Sequence, residues 1–378
     1  MEELSDSPVV PFEGFVGGSI DRQTSIHSPE NDIQPVALPI EEFLQKNYPP
    51  RSNLLTPWLQ NPALAMIYAW RGVGKTHVAL RVAYAVASGG AFLTWQAPEP
   101  QPVLYLDGEM PAVALQERLI QIVRSSEKEP PAGYFKIMGI DDQGEYGMPN
   151  LSTKEGQDAI KPFTDQVKLI VIDNLSTLVR SGEENKGDDW LPVQQWALRM
   201  RAEGRTVLFI HHAGKGGAQR GASRREDVLD TVICLKRPSD YEASQGARFE
   251  VHFEKARGIF GKDVEPIEAQ LGSEGLKEHW AVSSVEQSNY QKVIELANLG
   301  MAQRDIAIEL GIDKSTVSRH LRKAGEQVGV IKKLSPTAEQ MEKIQRQSEK
   351  SKGGSISSEG WGILAKKPKK SPKEATES

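Results

Sequence analysis

A turn that contains two glycines, followed at once by lysine and threonine, has the clearest chemistry in this chain. The run at residues 66–76 follows the pattern G-x-x-x-x-G-K-[ST], with Ala69 in place of the first glycine. Glycines let backbone N–H groups turn toward phosphate oxygens, and the following helix start adds partial positive charge. Lys75 then reaches the β- and γ-phosphates, and the Thr76 hydroxyl ligates Mg²⁺. The run predicts a nucleoside triphosphate site formed by Arg71, Gly72, Val73, Gly74, Lys75 and Thr76.

Acidic side chains follow two apolar runs farther along the chain. Asp173 ends the run at residues 168–172, where a carboxylate can hold Mg²⁺ together with Thr76. Glu109 follows the run at residues 103–106, and we assign it to polarise the water that attacks the γ-phosphate. Asp107 is the alternative for that role. Because ligands of such sheets bind at the carboxyl ends of the strands, we expect these carboxylates to lie near the phosphate loop.

A pair of histidines, His211 and His212, ends a third apolar run, which begins at residue 206. One of the two, assigned here to His211, is placed to sense the γ-phosphate through a hydrogen bond. An exposed pair without a ligand is the alternative.

Strands that alternate with helices position these residues. Helices are predicted near residues 77–87, 112–125 and 188–203, and strands near 103–107, 134–138, 168–174 and 206–212. This alternation predicts an α/β fold with a buried parallel sheet and right-handed crossovers. Further strands near residues 228–235, 248–254 and 279–282 are predicted to form an antiparallel extension at one edge.

Composition bounds the class of protein. The chain has 378 residues, a formal net charge of −5 and one cysteine, Cys234. A single cysteine excludes a disulfide framework within the chain and a cysteine-based zinc site, and it favours a cytoplasmic setting. We expect neither a signal peptide nor a membrane span. We divide the chain into a disordered arm (1–37), an ATPase domain (38–283), a helical DNA-binding domain (284–333) and a disordered basic tail (334–378).

Four motifs together resemble the RecA-like ATPase core of the plasmid RepA and DnaB type of replicative helicase. They are residues 69–76, 103–109, 169–173 and 209–212, and the RepA branch shares the paired histidines with Gly-Lys after them and the later Arg-Gly-Ala-Ser. The resemblance covers about residues 40–283. It implies ATP and Mg²⁺ as ligands, a P-loop NTPase fold and assembly into a hexameric ring.

The resemblance also implies that cations from one subunit reach the ATP of its neighbour. In the family these cations come from a strand that ends in Lys-x-Arg, which residues 253–258 match. Arg257 is therefore the expected arginine finger and Lys255 its companion, because charge spreads over the γ-phosphoryl oxygens in the transition state. An exposed Arg257 paired with Glu254 or Asp263 is the alternative.

A glycine- and arginine-rich loop follows the paired histidines at residues 213–225. It combines glycines with cations and has no aromatic residue, which suits sequence-independent contact with a single-stranded backbone. The expected DNA contacts are Lys215, Arg220, Arg224 and Arg225. A solvated flexible loop is the alternative.

The helical pattern after residue 284 resembles the helix-turn-helix modules of resolvases and many bacterial regulators. Helices are predicted at residues 291–298, 302–310 and 314–323, with Gly311 at the turn and Asp313 as a cap. The third helix would present Lys314, Ser315, Thr316, Arg319 and Arg322 to duplex DNA. A helical subdomain without DNA contact is the alternative.

These features favour an ATP-driven DNA helicase or translocase of a plasmid, phage or mobile element. Two alternatives remain at this point: a DNA-binding ATPase without helicase activity, such as a recombination mediator, and a replication or transcription regulator controlled by ATP. Strand separation would distinguish the first from a helicase. Tight binding to a specific duplex site with slow hydrolysis would identify the second.

Overall fold

The computed structural model describes residues 36–180, 190–213, 226–275 and 277–328. The chain divides into two units, Met1–Pro50 and Arg51–Ser378. The described part of the first unit contains one short helix, α1 (Ile40–Gln45), none of whose residues is buried. The predictions of disorder for residues 1–35 and 334–378 lie outside the described residues.

The second unit contains thirteen described strands and eight described α-helices. The strands are β1 (Ser52–Leu55), β2 (Leu59–Asn61), β3 (Leu64–Ala69), β4 (Ala91–Phe92), β5 (Trp95–Gln96), β6 (Val103–Asp107), β7 (Phe135–Gly139), β8 (Leu169–Asp173), β9 (Thr206–His212), β10 (Thr231–Lys236), β11 (Arg248–Ala256), β12 (Ile267–Glu274) and β13 (Lys277–Ser284). The helices are α2 (Lys75–Ser88), α3 (Ala112–Ser125), α4 (Lys154–Thr164), α5 (Leu175–Leu178), α6 (Trp190–Ala202), α7 (Val285–Asn298), α8 (Gln303–Glu309) and α9 (Lys314–Val328).

Nine of these strands form one sheet in the order β13-β12-β11-β10-β3-β9-β8-β6-β7. The six strands from β10 to β7 are parallel, and β11, β12 and β13 continue the sheet antiparallel. The predicted α/β class with a RecA-like central parallel sheet is confirmed. One detail was wrong: β10 was expected in the antiparallel extension, whereas it pairs in parallel with β3.

Helices cover both faces of the inner parallel strands, which explains why those strands are largely apolar, whereas β7 at the border of the sheet is mostly half-buried and contains Lys136. All six residues of β3 are buried. Its alternate side chains enter different cores: Ile67 joins the core that includes α2, and Met66 joins the core that includes α6. A strand buried on both faces is a continuous apolar run. Polar side chains are therefore confined to the strand ends, where a site can form.

The three helices after β13 have a small core of their own. Val293 of α7, Ile306 of α8 and Val317 of α9 are each fully buried there, together with Leu310. Gly311, in the turn before α9, has a φ of 62°, a left-handed conformation that glycine adopts at low cost. The three helices were predicted; the first begins at Val285, six residues before its predicted start. Among the described helices, none is long and apolar enough to span a bilayer.

Candidate nucleotide site

The phosphate loop joins β3 to α2 at the carboxyl edge of the parallel strands. Gly72 and Gly74 have φ values of 77° and 118°, in the left-handed region that favours glycine. Helix α2 begins at Lys75, so its first N–H groups face the loop. This local geometry presents backbone donors and a helix N-terminus to an anion.

Lys75 is buried, with 6% of its surface exposed. Its Nζ donates to the carbonyl oxygens of Ala69 and Trp70, each at 3.3 Å. Burial lowers the pKa of this ammonium, and the charges of Asp173 and Glu109 oppose that effect. The lysine is therefore held against the loop it would serve, beside two of the predicted site carboxylates.

Asp173 lies at the end of β8 and is 4% exposed. It accepts a hydrogen bond from the Tyr105 hydroxyl at 2.7 Å and another from Thr76. Its pKa is raised from 3.8 to about 6, chiefly by burial; the nearby charges of Asp107 and Glu109 also raise it, while the two hydrogen bonds oppose the rise. The two side chains predicted to hold Mg²⁺, Thr76 and Asp173, are thus in direct contact.

Asp107 has a structural role at the end of β6. Its Oδ1 accepts from the backbone N–H groups of Glu109, at 2.9 Å, and of Met110, at 2.8 Å. Its Oδ2 is buried and has no hydrogen-bond partner within the described residues, and burial raises its pKa. By fixing the turn after β6, Asp107 directs the chain so that Glu109 projects into the site.

Glu109 is held by a residue that the sequence analysis did not assign. Asn174 Nδ2 donates to Glu109 and lies 3.3 Å from His212 Nε2, while Asn174 Oδ1 accepts from Ser176 N at 2.9 Å at the start of α5. The peptide bond between Asp173 and Asn174 is cis. Asn174 is 1% exposed. A buried amide whose two ends bind different partners is well fixed, and its position directly after Asp173 was the available signal.

The two histidines of β9 occupy different environments. His212 Nε2 lies 3.6 Å from Glu109 Oε2, and burial together with the charge of Lys75 lowers the pKa of this imidazole. His211 is buried, at 5% exposure, and pairs in register with Tyr68. Successive side chains of a strand point to opposite faces. His212 therefore lies beside Glu109, and His211 lies on the other face of β9; the assignment of the γ-phosphate contact to His211 stays a prediction.

Lys255 and Arg257 lie at the amino ends of the parallel strands, whereas the phosphate loop lies at their carboxyl ends. Strand β11 runs antiparallel to β10, so Ala256 pairs with Thr231, at the start of β10, whereas Leu235, near its end, pairs with Ala69. Lys255 Nζ donates to the carbonyl oxygens of Glu226 and Asp227, and Arg257 Nη2 donates to Asp227 O at 3.0 Å. In the described part of the chain neither forms an ion pair, so the alternative pairing with Glu254 or Asp263 is not observed.

The predicted DNA contacts fall into two groups. Lys215, Arg220, Arg224 and Arg225 lie outside the described residues. The other five lie on α9, where Thr316 is half-buried and the remaining four are exposed: Lys314, Ser315, Arg319 and Arg322. The buried side of α9 is formed by other residues, including Val317. The predicted contact residues therefore share the solvent-facing side of this helix.

Comparison with known proteins gives one family and two similar folds. The family model described as AAA domain matches residues 29–218. A KaiC-like protein from the archaeon Pyrococcus horikoshii is 18% identical, with a TM-score of 0.40, over 59% of this chain and 90% of that one. The flagellar accessory protein FlaH from Methanocaldococcus jannaschii is 12% identical, with a TM-score of 0.40, over 58% of this chain and 90% of that one.

Proposed function

The chain belongs to the AAA domain family, and from this premise we propose that it is an ATP-dependent DNA helicase or translocase. It would act in the replication of a plasmid, phage or mobile element and couple ATP hydrolysis to movement on DNA. The phosphate loop supports the ATPase activity in this proposal, and the exposed face of α9 supports DNA binding.

The phosphate loop supports ATP binding. The N–H groups that follow Gly72 and Gly74 would bind phosphate oxygens, and Lys75 would exchange its carbonyl partners for the β- and γ-phosphates. Lys75 has a lowered pKa because it is buried, and an anionic phosphate would favour its charged form. The loop thus holds a cation that a triphosphate would stabilise.

The carboxylates support a magnesium ion. Thr76 and Asp173 would hold it, and Asp107 adds negative charge nearby, with one buried oxygen unpartnered within the described residues. Bound there, Mg²⁺ would neutralise charge on the phosphate oxygens. Since burial raises the pKa of Asp173 to about 6, the site would bind the cation best above that pH.

The Glu109–Asn174–His212 contact supports hydrolysis. Glu109 would accept a proton from the attacking water, and Asn174 would orient its carboxylate. His212 has a lowered pKa, so as a neutral imidazole it would sense the γ-phosphate in the role first assigned to His211. Its place directly before the loop at residues 213–225 would connect the site to the predicted single-strand contacts.

The location of Lys255 and Arg257 is the observation that carries the proposal of a ring motor. Residues 231–235 of β10 separate the register positions of Ala256 and Ala69 along the strand direction, a rise of roughly 13 Å at about 3.3 Å per residue. Such cations cannot serve the phosphate loop of their own chain, yet they are bonded only to backbone carbonyls among the described residues. A neighbouring copy that presents its phosphate loop to this edge would receive both cations, which would tie hydrolysis to the interface in a hexameric ring.

Two further features support DNA as the partner. The exposed residues of α9 include three of the predicted contact cations, Lys314, Arg319 and Arg322, which suit phosphate and base contacts in duplex DNA. The cations of residues 215–225 would grip a single-stranded backbone. A protein with both would bind duplex DNA through its C-terminal helices and translocate on one strand through its core.

Unwinding of a forked duplex, with ATPase measured in the same samples with and without single-stranded DNA, tests this function. A helicase should separate the strands only with ATP and Mg²⁺, and single-stranded DNA should stimulate turnover. Stimulation without strand separation would instead identify a DNA-binding ATPase such as a recombination mediator. Slow turnover indifferent to single strands, with tight binding to one duplex sequence, would identify the ATP-controlled regulator favoured by the C-terminal helices alone.

A further inference from the structure

The segment at residues 237–241, which follows β10, contacts the phosphate loop at one end. Arg237 Nη2 donates to the carbonyl oxygen of Gly72 at 3.0 Å. The guanidinium carbon of Arg237 lies 4.3 Å from the centre of the Tyr241 ring, so the ring holds this side chain in position. Gly72 is one of the two glycines that shape the loop. Arg237, one residue past the end of β10, thus contacts a backbone group of the loop from outside it.

The same segment contacts the C-terminal helices two residues later. Ser239 Oγ donates to the carbonyl oxygen of Leu310, at the end of α8, at 2.9 Å. Asp240 Oδ1 accepts from Lys292 Nζ of α7 at 3.1 Å. Residues 237–241 therefore connect the phosphate loop directly to α7 and α8.

A second, buried set of contacts reinforces this connection. Arg248 binds both oxygens of Asp240 at 3.1 Å and donates its Nε to Glu268 at 2.6 Å. Glu268 in turn accepts from Ser288 Oγ of α7 at 2.6 Å and lies 3.4 Å from Lys292 Nζ. Next to Arg248, the Phe249 ring lies close enough to Gly74 that a Cβ there would meet it at 3.7 Å. The network is thus joined to Gly72 through the segment that contains Asp240 and Arg237, and Phe249, next to Arg248 in the strand, lies near Gly74.

Moving α7 away from these contacts would destabilise the folded protein. Arg248 and Glu268 are 5% and 8% exposed, and a buried charge that loses one partner is strongly destabilising. If α7 moved away, Glu268 and Asp240 would each lose Lys292, and Asp240 would no longer be fixed between two cations. Arg248 alone would then hold Asp240, so the segment that carries Arg237, and with it the Gly72 carbonyl, would be less firmly fixed.

We propose that Arg237 is a positioning residue for the phosphate loop and that the C-terminal helices hold it in place, so that nucleotide binding and the seating of those helices are linked. The proposal rests on nucleotide binding at the phosphate loop, as proposed above, and does not require helicase activity. Linkage is reciprocal: whatever α7 and α8 contribute to nucleotide affinity, the nucleotide must contribute to their seating.

Calorimetry of MgATP binding to the full chain tests the first half. Arg237→Ala should weaken binding about tenfold, and Arg237→Lys, which keeps one donor for Gly72, should recover part of the loss. Lys292→Ala, on α7 and outside the phosphate loop, should weaken binding about threefold. The double variant should lose less than the product of the two, since both act through one segment. Lys154→Ala, which breaks an exposed pair with Asp158, is the matched control and should leave binding unchanged.

Hydrogen exchange tests the reciprocal half in the same proteins. MgATP should slow amide exchange in α7 and α8 of the wild type by about fivefold, and Arg237→Ala should abolish that slowing even at saturating MgATP. If wild-type MgATP binding leaves exchange in α7 and α8 unchanged, or if Lys292→Ala binds MgATP like the wild type, the link is rejected and the nucleotide site stands. If the wild type takes up no MgATP at all, the proposed function fails first, and calorimetry alone reveals it.

Discussion

The carboxyl and amino edges of the parallel strands differ in how deeply their charged side chains are buried and in the partners that those side chains have. At the carboxyl edge of the parallel strands, Lys75, Asp107 and Asp173 are nearly fully buried and each has a displaced pKa. At the other edge, Lys255 and Arg257 donate to backbone carbonyl oxygens and have no carboxylate partner among the described residues. The first edge concentrates charge in low dielectric, whereas the second leaves cations near solvent.

This difference indicates which interactions the chain completes alone and which it leaves to another molecule. Buried charges with displaced pKa values are costly, so they persist where a ligand or ion will compensate them. Cations satisfied only by carbonyl oxygens can exchange those partners for a phosphate with little loss. In the proposed function, the first edge is the receptor edge, which would bind a nucleotide, and the second is the donor edge, which would supply positive charge to a neighbouring copy.

The largest effect is expected from Lys75→Ala, which removes the cation of the receptor edge. ATP turnover should fall by about a thousandfold or more, because Lys75 is the cation proposed to bind the β- and γ-phosphates. A steady-state ATPase assay measures the loss, with Lys154→Ala as the exposed-lysine control. Turnover that survives in the Lys75 variant would move the nucleotide to a different part of the molecule.

Next in size is Glu109→Gln, which keeps the shape of the side chain and the contact with Asn174 while removing the base. Turnover should fall by about a hundred- to a thousandfold, and MgATP affinity should change little. Single-turnover hydrolysis and calorimetry separate the two effects. Asp107→Asn is the companion variant: its amide oxygen can still accept from the N–H groups of Glu109 and Met110, so the turn should persist, and a normal rate for the Glu109 variant would assign the base to Asp107.

Arg257→Ala tests the donor edge. Turnover should fall by about a hundredfold, since an arginine that reaches the transferring phosphoryl group has effects of that order or larger. Affinity of an isolated subunit for MgATP should be unchanged, because the side chain lies at the far edge of its own sheet. A weakened affinity at concentrations where the protein is monomeric would place Arg257 in its own site and remove the contrast between the edges.

The pH dependence of stability tests the burial of Asp173. Its pKa is raised from 3.8 to about 6, so the native state holds a proton more tightly than the unfolded chain does between those values. The free energy of unfolding should therefore fall as pH rises from about 4 to about 6, by at most about 3 kcal/mol from this group.

Asp173→Asn cannot titrate and supplies the comparison. Denaturant unfolding without nucleotide should find the variant more stable than the wild type at pH 7 and close to it at pH 4. Parallel curves of unfolding free energy against pH for the two proteins would show that burial does not raise the pKa of Asp173. The receptor edge would then not be destabilised by this charge.

The smallest effect concerns the C-terminal helices. Arg319→Ala should weaken duplex DNA binding by about three- to tenfold and lower the salt dependence of binding by about one ion. Fluorescence anisotropy at several salt concentrations measures both. Arg124→Ala, an exposed arginine of α3, is the control. An unchanged salt dependence would separate α9 from the DNA.

Much of the receptor edge could be predicted because strong local patterns define it. Buried parallel strands are continuous apolar runs, so their ends and the polar residues there, such as Asp173 and Glu109, were identified from the sequence. Helix α4 and strand β12 were not predicted, since the buried side of α4 includes Gly156, Gln157 and Thr164 rather than apolar residues alone, and most of β12 is half-buried or exposed. Pairing of β10 with β3 was also missed, because an apolar run of six residues does not specify its neighbours.

Local sequence patterns could not predict which side chains at the strand ends enter the site, because this depends on contacts between distant parts of the chain. His211 and His212 differ only in which face of β9 they occupy, which depends on the register at the strand end. Asn174 lies directly after Asp173, but its contacts with Glu109 and His212 join residues far apart in the chain. Likewise, the contacts of Arg237 with Gly72, and of Asp240 with Lys292, join residues far apart in the chain.

Mixing two inactive variants tests most directly whether the edges act between subunits. Lys75→Ala lacks the receptor and keeps Arg257, whereas Arg257→Ala lacks the donor and keeps Lys75. When the two are mixed under conditions that allow subunit exchange, interfaces with an intact receptor and an intact donor should form, and ATPase activity should rise to roughly a quarter of the wild-type value at equal proportions if subunits assort at random. Mixtures that stay as inactive as their components, while size analysis shows mixed oligomers, would contradict the account.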